Sequence, residues 1–352
     1  MAKKIKSIFK KIILGLIVVV GLSSAITGVL VYWVIYKPNV SLGTKKSQFI
    51  YIKTGATFDD VVNLLFDNKI IINKKSFVWL ANKKKYTAAV KPGKYRLLAR
   101  MGNNELINIL RAGIQEPVFI NFAGLRTPEQ LITRVCNRLE ADSLEMKQKF
   151  NDSGYISKYG FTKDNFSALF IPNTYEFYWN TSVDEFLERM AKEYRTFWTE
   201  ERKAKARKLQ LSQTEVAVLA SIVQGEQWRF NDEKPIIAGL YINRLEKGML
   251  LQSDPTVIYA VGDFTINRVL NADKEIDSPY NTYKYKGLPP GPIGFPEVSS
   301  LDAVLNYQHN DYLFMCAKED LSGRHYFAKT YEQHQVYATK YREALNRLNI
   351  KR

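Results

Sequence analysis

Hydrophobic and polar positions follow several different rhythms along this chain, and the first stretch has none. From Ile12 to Tyr36 no charged residue occurs, an apolar run longer than the ~20 residues a helix needs to span a bilayer. Lys37 to Ser47 is polar and reads as a short connector. Phe49-Ile50-Tyr51-Ile52 then reads as a strand, and Thr57 as the N-cap of a helix with Val61, Leu64 and Leu65 on one face. A second helix is expected after Lys75, with Phe77, Leu80 and Ala81 turned inward. Pro92-Gly93 makes a turn into a strand through Leu97, and Asn103 opens a helix bearing Leu106, Ile109 and Leu110.

The rest of the chain is longer and more helical. Pro117 to Phe122 reads as a strand. Thr127-Pro128 starts a helix, with Pro at the first helical position, that runs past Leu131, Ile132, Val135 and Leu139. The dense aromatic stretch from Phe170 to Trp179 suits either core or a sugar-stacking wall. Val183 to about Leu209 reads as one long charged helix with i,i+4 pairs. Ser212-Gln213-Thr214-Glu215 is a capping box that starts the next helix, with Val216, Leu219, Ala220, Ile222 and Val223 apolar. Lys234 to Leu245 predicts another. The expected class is α+β: an N-terminal transmembrane helix, a small α+β module and a larger α+β domain.

Charge narrows the partners. The chain carries 51 Lys+Arg against 35 Asp+Glu, a formal charge of +16, so it attracts polyanions. Lys3, Lys4, Lys6, Lys10 and Lys11 precede any acidic residue and place the N-terminus in the cytoplasm and the body outside. Ser23-Ser24-Ala25 could serve as a signal-peptide cleavage site. The apolar region of such a signal is usually ~7–15 residues, whereas this one continues through Trp33 and Ile35. The expectation is therefore a single-pass anchor in the cell membrane with an extracytoplasmic body. That address excludes nucleic acid and favours membrane and cell-wall polymers. Cys136 and Cys316 do not make a disulfide framework; two buried thiols or one bridge would both fit. His309, His325 and His334 show no metal-ligand spacing, and no metal or cofactor is expected.

Candidate chemistry centres on Glu226. It follows Leu219, Ile222 and Val223 by seven, four and three residues, so it falls on their helix face. A carboxylate there must be partnered, neutralised or functional. Burial raises a Glu pKa and lets it hold a proton near neutrality, as cleavage of a glycosidic bond requires. Gln224 lies about 200° away at ~100° per residue. The alternative is a structural Glu salt-bridged to Arg229 or Arg244. Downstream, the amide, hydroxyl and aromatic groups of Gln252, Tyr280, Asn281 and Tyr283 are of the kind that bind sugars, as is Tyr175 in the aromatic stretch. Asp254 is the nearest candidate for a second carboxylate, although Asp254-Pro255-Thr256 equally suits an N-cap.

Five blocks resemble the signatures of the endolytic murein transglycosylase (YceG-like) family. They are Ala220-Ser221-Ile222-Val223 with Glu226, Ile242-Asn243-Arg244-Leu245, Leu251-Gln252-Ser253-Asp254-Pro255-Thr256-Val257-Ile258-Tyr259, Tyr280-Asn281-Thr282-Tyr283, and Gly287-Leu288-Pro289-Pro290-Gly291-Pro292-Ile293. Their order and approximate spacing also fit, and with the anchor and the LysM-like region the resemblance covers nearly the whole chain. The resemblance implies a lytic transglycosylase that cuts nascent peptidoglycan strands between N-acetylmuramic acid and N-acetylglucosamine. It would leave 1,6-anhydro ends and terminate glycan elongation, beside cell-wall synthases. Glu226 would be the catalytic acid and base, with Tyr175, Gln252, Asp254, Tyr280, Asn281 and Tyr283 binding substrate. The family commonly has Glu-x-Glu where this chain has Gln224-Gly225-Glu226, so a catalytically inactive peptidoglycan-binding scaffold is the alternative. Thr54-Gly55-Ala56-Thr57-Phe58 resembles the start of a LysM-type glycan-binding module, though a βα spacer would fit as well. The implied organisation is a basic segment at 1–11, an anchor at 12–36, a LysM-like module at 48–115 and a catalytic domain at 116–352.

Overall fold

A computed structural model describes residues 2–348, with side chains from Ile8 onward; the side chains of Lys3, Lys4 and Lys6 lie outside the described residues. The chain forms two compact units. One takes residues up to Val118 together with Glu176–Asn180, and the other takes Phe119–Tyr175 and the residues from Thr181.

The first unit begins with α1 (Ala2–Tyr36), a single helix. Its Ile8–Tyr36 segment is long and apolar enough to cross a membrane, and none of its most apolar window is buried in protein. There follow β1 (Ser47–Ile52), α2 (Phe58–Asp67), α3 (Lys74–Lys83), β2 (Gly93–Leu98) and α4 (Asn103–Ala112). The strands β1 and β2 pair antiparallel, Ser47 opposite Leu98 and Ile52 opposite Gly93. Thr57 caps α2 in a reciprocal box with Asp60. Ile50, Ile52, Leu65, Phe77, Tyr95, Leu97 and Leu106 form the shared core.

The polar connector expected from Lys37 to Ser47 is in fact part of this fold. Pro38 bridges Gly102, Val40 bridges Ile71, and Val40 and Leu42 enter the core. Asn39 is buried and donates from Nδ2 to Asn103 Oδ1 (2.7 Å) and to the Asn73 carbonyl (3.1 Å), while its Oδ1 accepts the Asn73 N–H (2.7 Å). Asn103 Nδ2 in turn donates to the Val34 carbonyl near the end of α1 (2.9 Å) and to Ser76 Oγ (3.0 Å). Buried polar groups must be satisfied inside the protein, and these two asparagines do so by tying α1, α3 and α4 together.

The second unit contains β3 (Val118–Asn121, whose first residue belongs to the first unit), α5 (Pro128–Cys136), α6 (Ser143–Asn151), α7 (Ser153–Ser157), β4 (Thr174–Phe177, which ends in the first unit), α8 (Val183–Phe197), α9 (Glu200–Lys208), α10 (Gln213–Glu226), α11 (Lys234–Glu246), α12 (Asp254–Val261), α13 (Val298–Leu305), β5 (Phe314–Ala317), β6 (His325–Ala328) and α14 (Tyr331–Arg347). Its centre is α10, which packs against α11, α12 and α13. The capping box of Ser212 and Glu215 starts it as expected. Every residue from Val216 to Val223 is buried, so the apolar stripe is a whole circumference, the mark of a core helix.

The single helix expected from Val183 to Leu209 is two, α8 and α9. Trp198 turns into the core at 2% exposure, and Thr199 goes extended and caps the new helix by accepting the Arg202 N–H. Side-chain burial and a fresh cap together outweigh the charged helical pattern. The aromatic stretch proves to be core at Phe170 and Tyr175. Cys136 and Cys316 are free thiols; burial pushes Cys316 up to about 11.

Asn103→Ala would strand the Asn39 amide and the Val34 carbonyl, and each unsatisfied buried group costs about 1–3 kcal/mol. Thermal and denaturant unfolding should show the first unit destabilised by roughly 2 kcal/mol. An unchanged transition would mean that the asparagines do not hold α1 to the module.

Candidate active site

Glu226 is the last residue of α10. The residue before it has no side chain for a reason: a Cβ on Gly225 would stand 2.7 Å from Pro255 Cβ and 3.0 Å from its Cγ, a ring that cannot swing away. Glycine thus lets the start of α12 close onto the end of α10. That approach brings Ser253 Oγ within 2.6 Å of Glu226 Oε1, to which it donates. Tyr241, buried on α11, donates its hydroxyl to the same oxygen at 2.7 Å. Both bonds land on Oε1, leaving Oε2 as the oxygen that can carry a proton into the adjoining cavity.

That cavity, about 300 Å³, is lined by Glu226, Tyr241, Arg244, Gln252, Asp254, Tyr283 and His325, together with residues of β5 and α14. Burial pushes the Glu226 carboxyl above its ordinary range; the Ser253 and Tyr241 hydrogen bonds pull the other way, and the nearby Asp254 charge adds to the rise. Burial, helped by the Glu226 charge, likewise drives the Tyr241 hydroxyl well up.

The salt-bridge alternative does not hold. Arg244 is buried, and its guanidinium is spent on backbone: Nε donates to Leu313 O (2.6 Å), and Nη1 to Leu250 O and Leu251 O (both 2.9 Å). Arg229 lies against the rings of Trp228 and Phe230. Glu226 makes no ion pair with lysine or arginine among the described residues. Two hydroxyls hold it instead, and hydroxyls leave it free to be neutral.

The segment from Gln252 to Thr256 is itself held in place. Gln252 adopts a left-handed backbone with φ of 52°, an uncommon conformation for a non-glycine residue. Its N–H donates to Thr282 O, and its Oε1 accepts from Arg244 Nη1 at 3.3 Å. Ser253, rather than Asp254, occupies the N-cap position of α12, and makes no side-chain cap bond because its hydroxyl serves Glu226. Asp254 is the first residue of the helix, and its Oδ1 accepts the Tyr283 hydroxyl at 2.6 Å.

The YceG-like family profile matches residues 50–340. The chain belongs to the YceG-like family. An endolytic murein transglycosylase of Bacillus subtilis (strain 168) is 31% identical over 323 residues, 87% of this chain and 88% of that relative. One from Streptococcus pneumoniae serotype 2 (strain D39) is 27% identical over 329 residues, 84% of this chain; this chain spans 58% of that longer protein. A crystal structure of a YceG-like protein from Listeria monocytogenes matches with a TM-score of 0.56 at 27% identity, over 83% of this chain and 99% of that one. By the names its curated relatives carry, this is a family of enzymes, lytic transglycosylases, and the expectation of an enzyme is met.

In this YceG-like chain, three of the six substrate-binding candidates, Gln252, Asp254 and Tyr283, line the Glu226 cavity. The other three do not. Tyr175 is buried, its hydroxyl donating to Ile171 O (2.6 Å) and its ring packed on Phe122. Asn281 is fully buried and braces the turn that presents Tyr283: Nδ2 donates to Lys274 O and Ile276 O, and Oδ1 accepts the Tyr283 N–H. Tyr280 packs against Tyr259 and reaches Asp164 O at 3.4 Å. Gln224 faces a different cavity, lined by Trp228, Arg126 and Phe264 among others. Its Oε1 accepts from the Glu297 N–H and Ser300 Oγ, and its Nε2 donates to Phe295 O at 3.3 Å. A glutamate there could accept but not donate.

Tyr241, Ser253, Glu233 and His325 were not singled out from sequence. Ser253 lies within the Leu251–Tyr259 stretch, yet nothing local tells a capping serine from one that serves a distant carboxylate.

Because the folded chain holds the Glu226 proton more tightly than the unfolded one, ionising this group costs stability as pH rises from about 4.3 through the folded pKa. Glu226→Gln should therefore match wild type in Tm at acid pH and exceed it increasingly as pH rises through the folded pKa. Tyr241→Phe and Ser253→Ala each remove a bond that favours the ionised form and should move the pKa further up, as NMR titration of labelled glutamate would read. A Tm difference that does not change with pH would contradict the burial of an ionisable Glu226.

Proposed function

We propose that this chain cleaves peptidoglycan glycan strands without water, as a lytic transglycosylase, with Glu226 as the acid. What carries the reading is the state of that carboxyl: burial favours its protonated form, and both protein hydrogen bonds go to one oxygen, leaving the other for the substrate. Glu226 Oε2 would protonate the oxygen joining N-acetylmuramic acid to N-acetylglucosamine as that bond breaks. The C6 hydroxyl of the muramyl sugar would close on C1 to form the 1,6-anhydro ring, and its proton would restore the Glu226 carboxyl. General acid–base catalysis of this kind typically supplies ~10²–10⁴-fold. A second carboxylate is not required, and Asp254, which accepts from Tyr283, serves to shape the sugar site with Gln252. The names of the relatives support the substrate class.

Gln224 reads as a structural amide rather than a lost acid, since donor and acceptor are both in use. The apolar run of α1 and the lysines at its N-terminal end support an uncleaved single-pass anchor with the cytoplasm on its N-terminal side and the catalytic domain, 116–352, outside. There it would terminate growing strands beside the synthases. The region 48–115 has a cavity at Tyr51, Thr54, Gly55, Asp60 and Leu64, the face a LysM-like module would offer to glycan.

Glu226→Gln should lower cleavage of purified sacculi at least about a hundredfold while glycan binding persists, and wild type should yield fragments with anhydro ends. Fragments heavier by one water would make the enzyme a hydrolase. Full activity of Glu226→Gln, or a wild type that is inert until Gln224→Glu is made, would move the acid to position 224.

Removing residues 48–115 should weaken cleavage of polymeric glycan more than of short fragments. Equal losses on the two substrates would reduce the module to a spacer.

A further inference from the structure

Two ionisable side chains beside Glu226 have no part in the reaction so far described. Glu233 precedes α11 and is 5% exposed; His325 opens β6. Glu233 Oε2 lies 2.9 Å from His325 Nδ1 and accepts from Gln227 Nε2 at 2.8 Å, while Oε1 accepts the His325 N–H at 3.1 Å. Arg324, paired with the exposed Asp232, approaches Glu233 Oε1 to 3.6 Å. Gln227 is the residue after Glu226, and its amide also donates to Gly323 O and accepts from the Arg229 and Phe230 N–H groups. One buried carboxylate thus holds both the imidazole and the end of the helix that carries the acid.

Burial opposes the charge on Glu233, but the hydrogen bonds from His325 and Gln227 outweigh it and keep its carboxyl below the ordinary range. An ionised carboxylate only accepts, so the hydrogen between the two groups belongs to Nδ1. With Nδ1 as the donor, Nε2 is the nitrogen left to take up or release a proton. It has no hydrogen-bond partner among the described residues, and His325 lines the cavity of Glu226. A base held at one nitrogen by a third group, in the same cavity as the reacting centre, is the general arrangement for activating a hydroxyl. Of the two Glu226 oxygens, Oε1 is already occupied by the Tyr241 and Ser253 hydroxyls.

We propose that His325 is the proton carrier of the site. Nε2 takes the proton of the muramyl C6 hydroxyl as that oxygen bonds to C1, and hands it to the Glu226 carboxylate. The Glu226 proton leaves with the departing sugar oxygen as the C1–O bond breaks, and the C6 proton replaces it through an imidazolium that Glu233 neutralises. No water or cofactor is consumed. This rests on Glu226 as the acid of a transglycosylase.

The test uses the full chain and purified peptidoglycan strands, counting anhydro ends. His325→Ala should lower kcat about a hundredfold or more with KM nearly unchanged, and added imidazole should restore much of the loss. Glu233→Gln, which keeps the shape but not the charge, should lower kcat at least about tenfold with KM unchanged, because a positioned acid–base group is worth ~10²–10⁴. The proposal is overturned by wild-type kcat in either variant, or by a loss in folded His325→Ala that imidazole does not restore. Should His325→Ala fail to fold, Glu233→Gln decides alone. Glu226→Gln run alongside keeps the two readings apart. If it is inert while His325→Ala is fully active, only the carrier role falls; if it cleaves normally, the acid assignment falls.

Discussion

A helix buried around its whole circumference must end in groups that can themselves be buried, and α10 ends in a carboxylate. Taking a charged carboxylate out of water is costly unless it is paired, and a group that can neutralise itself does so. The second unit meets this constraint with hydroxyls from Tyr241 and Ser253 in place of a cation. A guanidinium within bonding distance would have fixed the charge and pulled the pKa down. Arg244 is close at hand but committed to three backbone carbonyls. The chemistry open to Glu226 follows from that choice of partner.

The same constraint orders the surrounding segments. Gly225 admits Pro255, which sets Ser253 over the carboxyl. Thr282 receives the Gln252 and Ser253 N–H groups, and Asn281 braces the turn beneath Tyr283. On the other side of α10, Gln224 is bound to the approach to α13. Two residues apart, one side chain is fully used by structure and the other is kept half free. Residues that look alike as polar positions in a motif thus divide into those that build the site and those that face it.

Much of this was legible in the sequence. Thr57, Thr127 and Ser212 announce helix starts because a cap is a local matter, settled within three residues. Glu226 stood out because an acid on an apolar helix face has to be explained. What could not be read is whatever depends on contacts between distant segments. The break at Trp198 is decided by a core that the pattern of charges does not report. Tyr175 and Asn281 have the chemistry of sugar contacts but are consumed by Ile171, Lys274 and Ile276. Tyr241 lies one helix away from the acid it serves, and Glu233 is joined to His325 only by folding. The polar run after α1 looked like a tether since Asn39 has the composition of a linker; its burial depends on Asn73 and Asn103, far along the chain.

That buried asparagine pair changes the mechanics of the N-terminal end. A flexible tether would let the module wander about its attachment point, with an orientation independent of the helix. Here the Val34 carbonyl, near the last turn of α1, is held by Asn103, and Pro38 and Val40 are already bridged into the module. The helix and the module behave as a mast and its fitting. Whatever sets the tilt or rotation of α1 sets the facing of the module as well, so a change in bilayer thickness would be felt there as a change of angle.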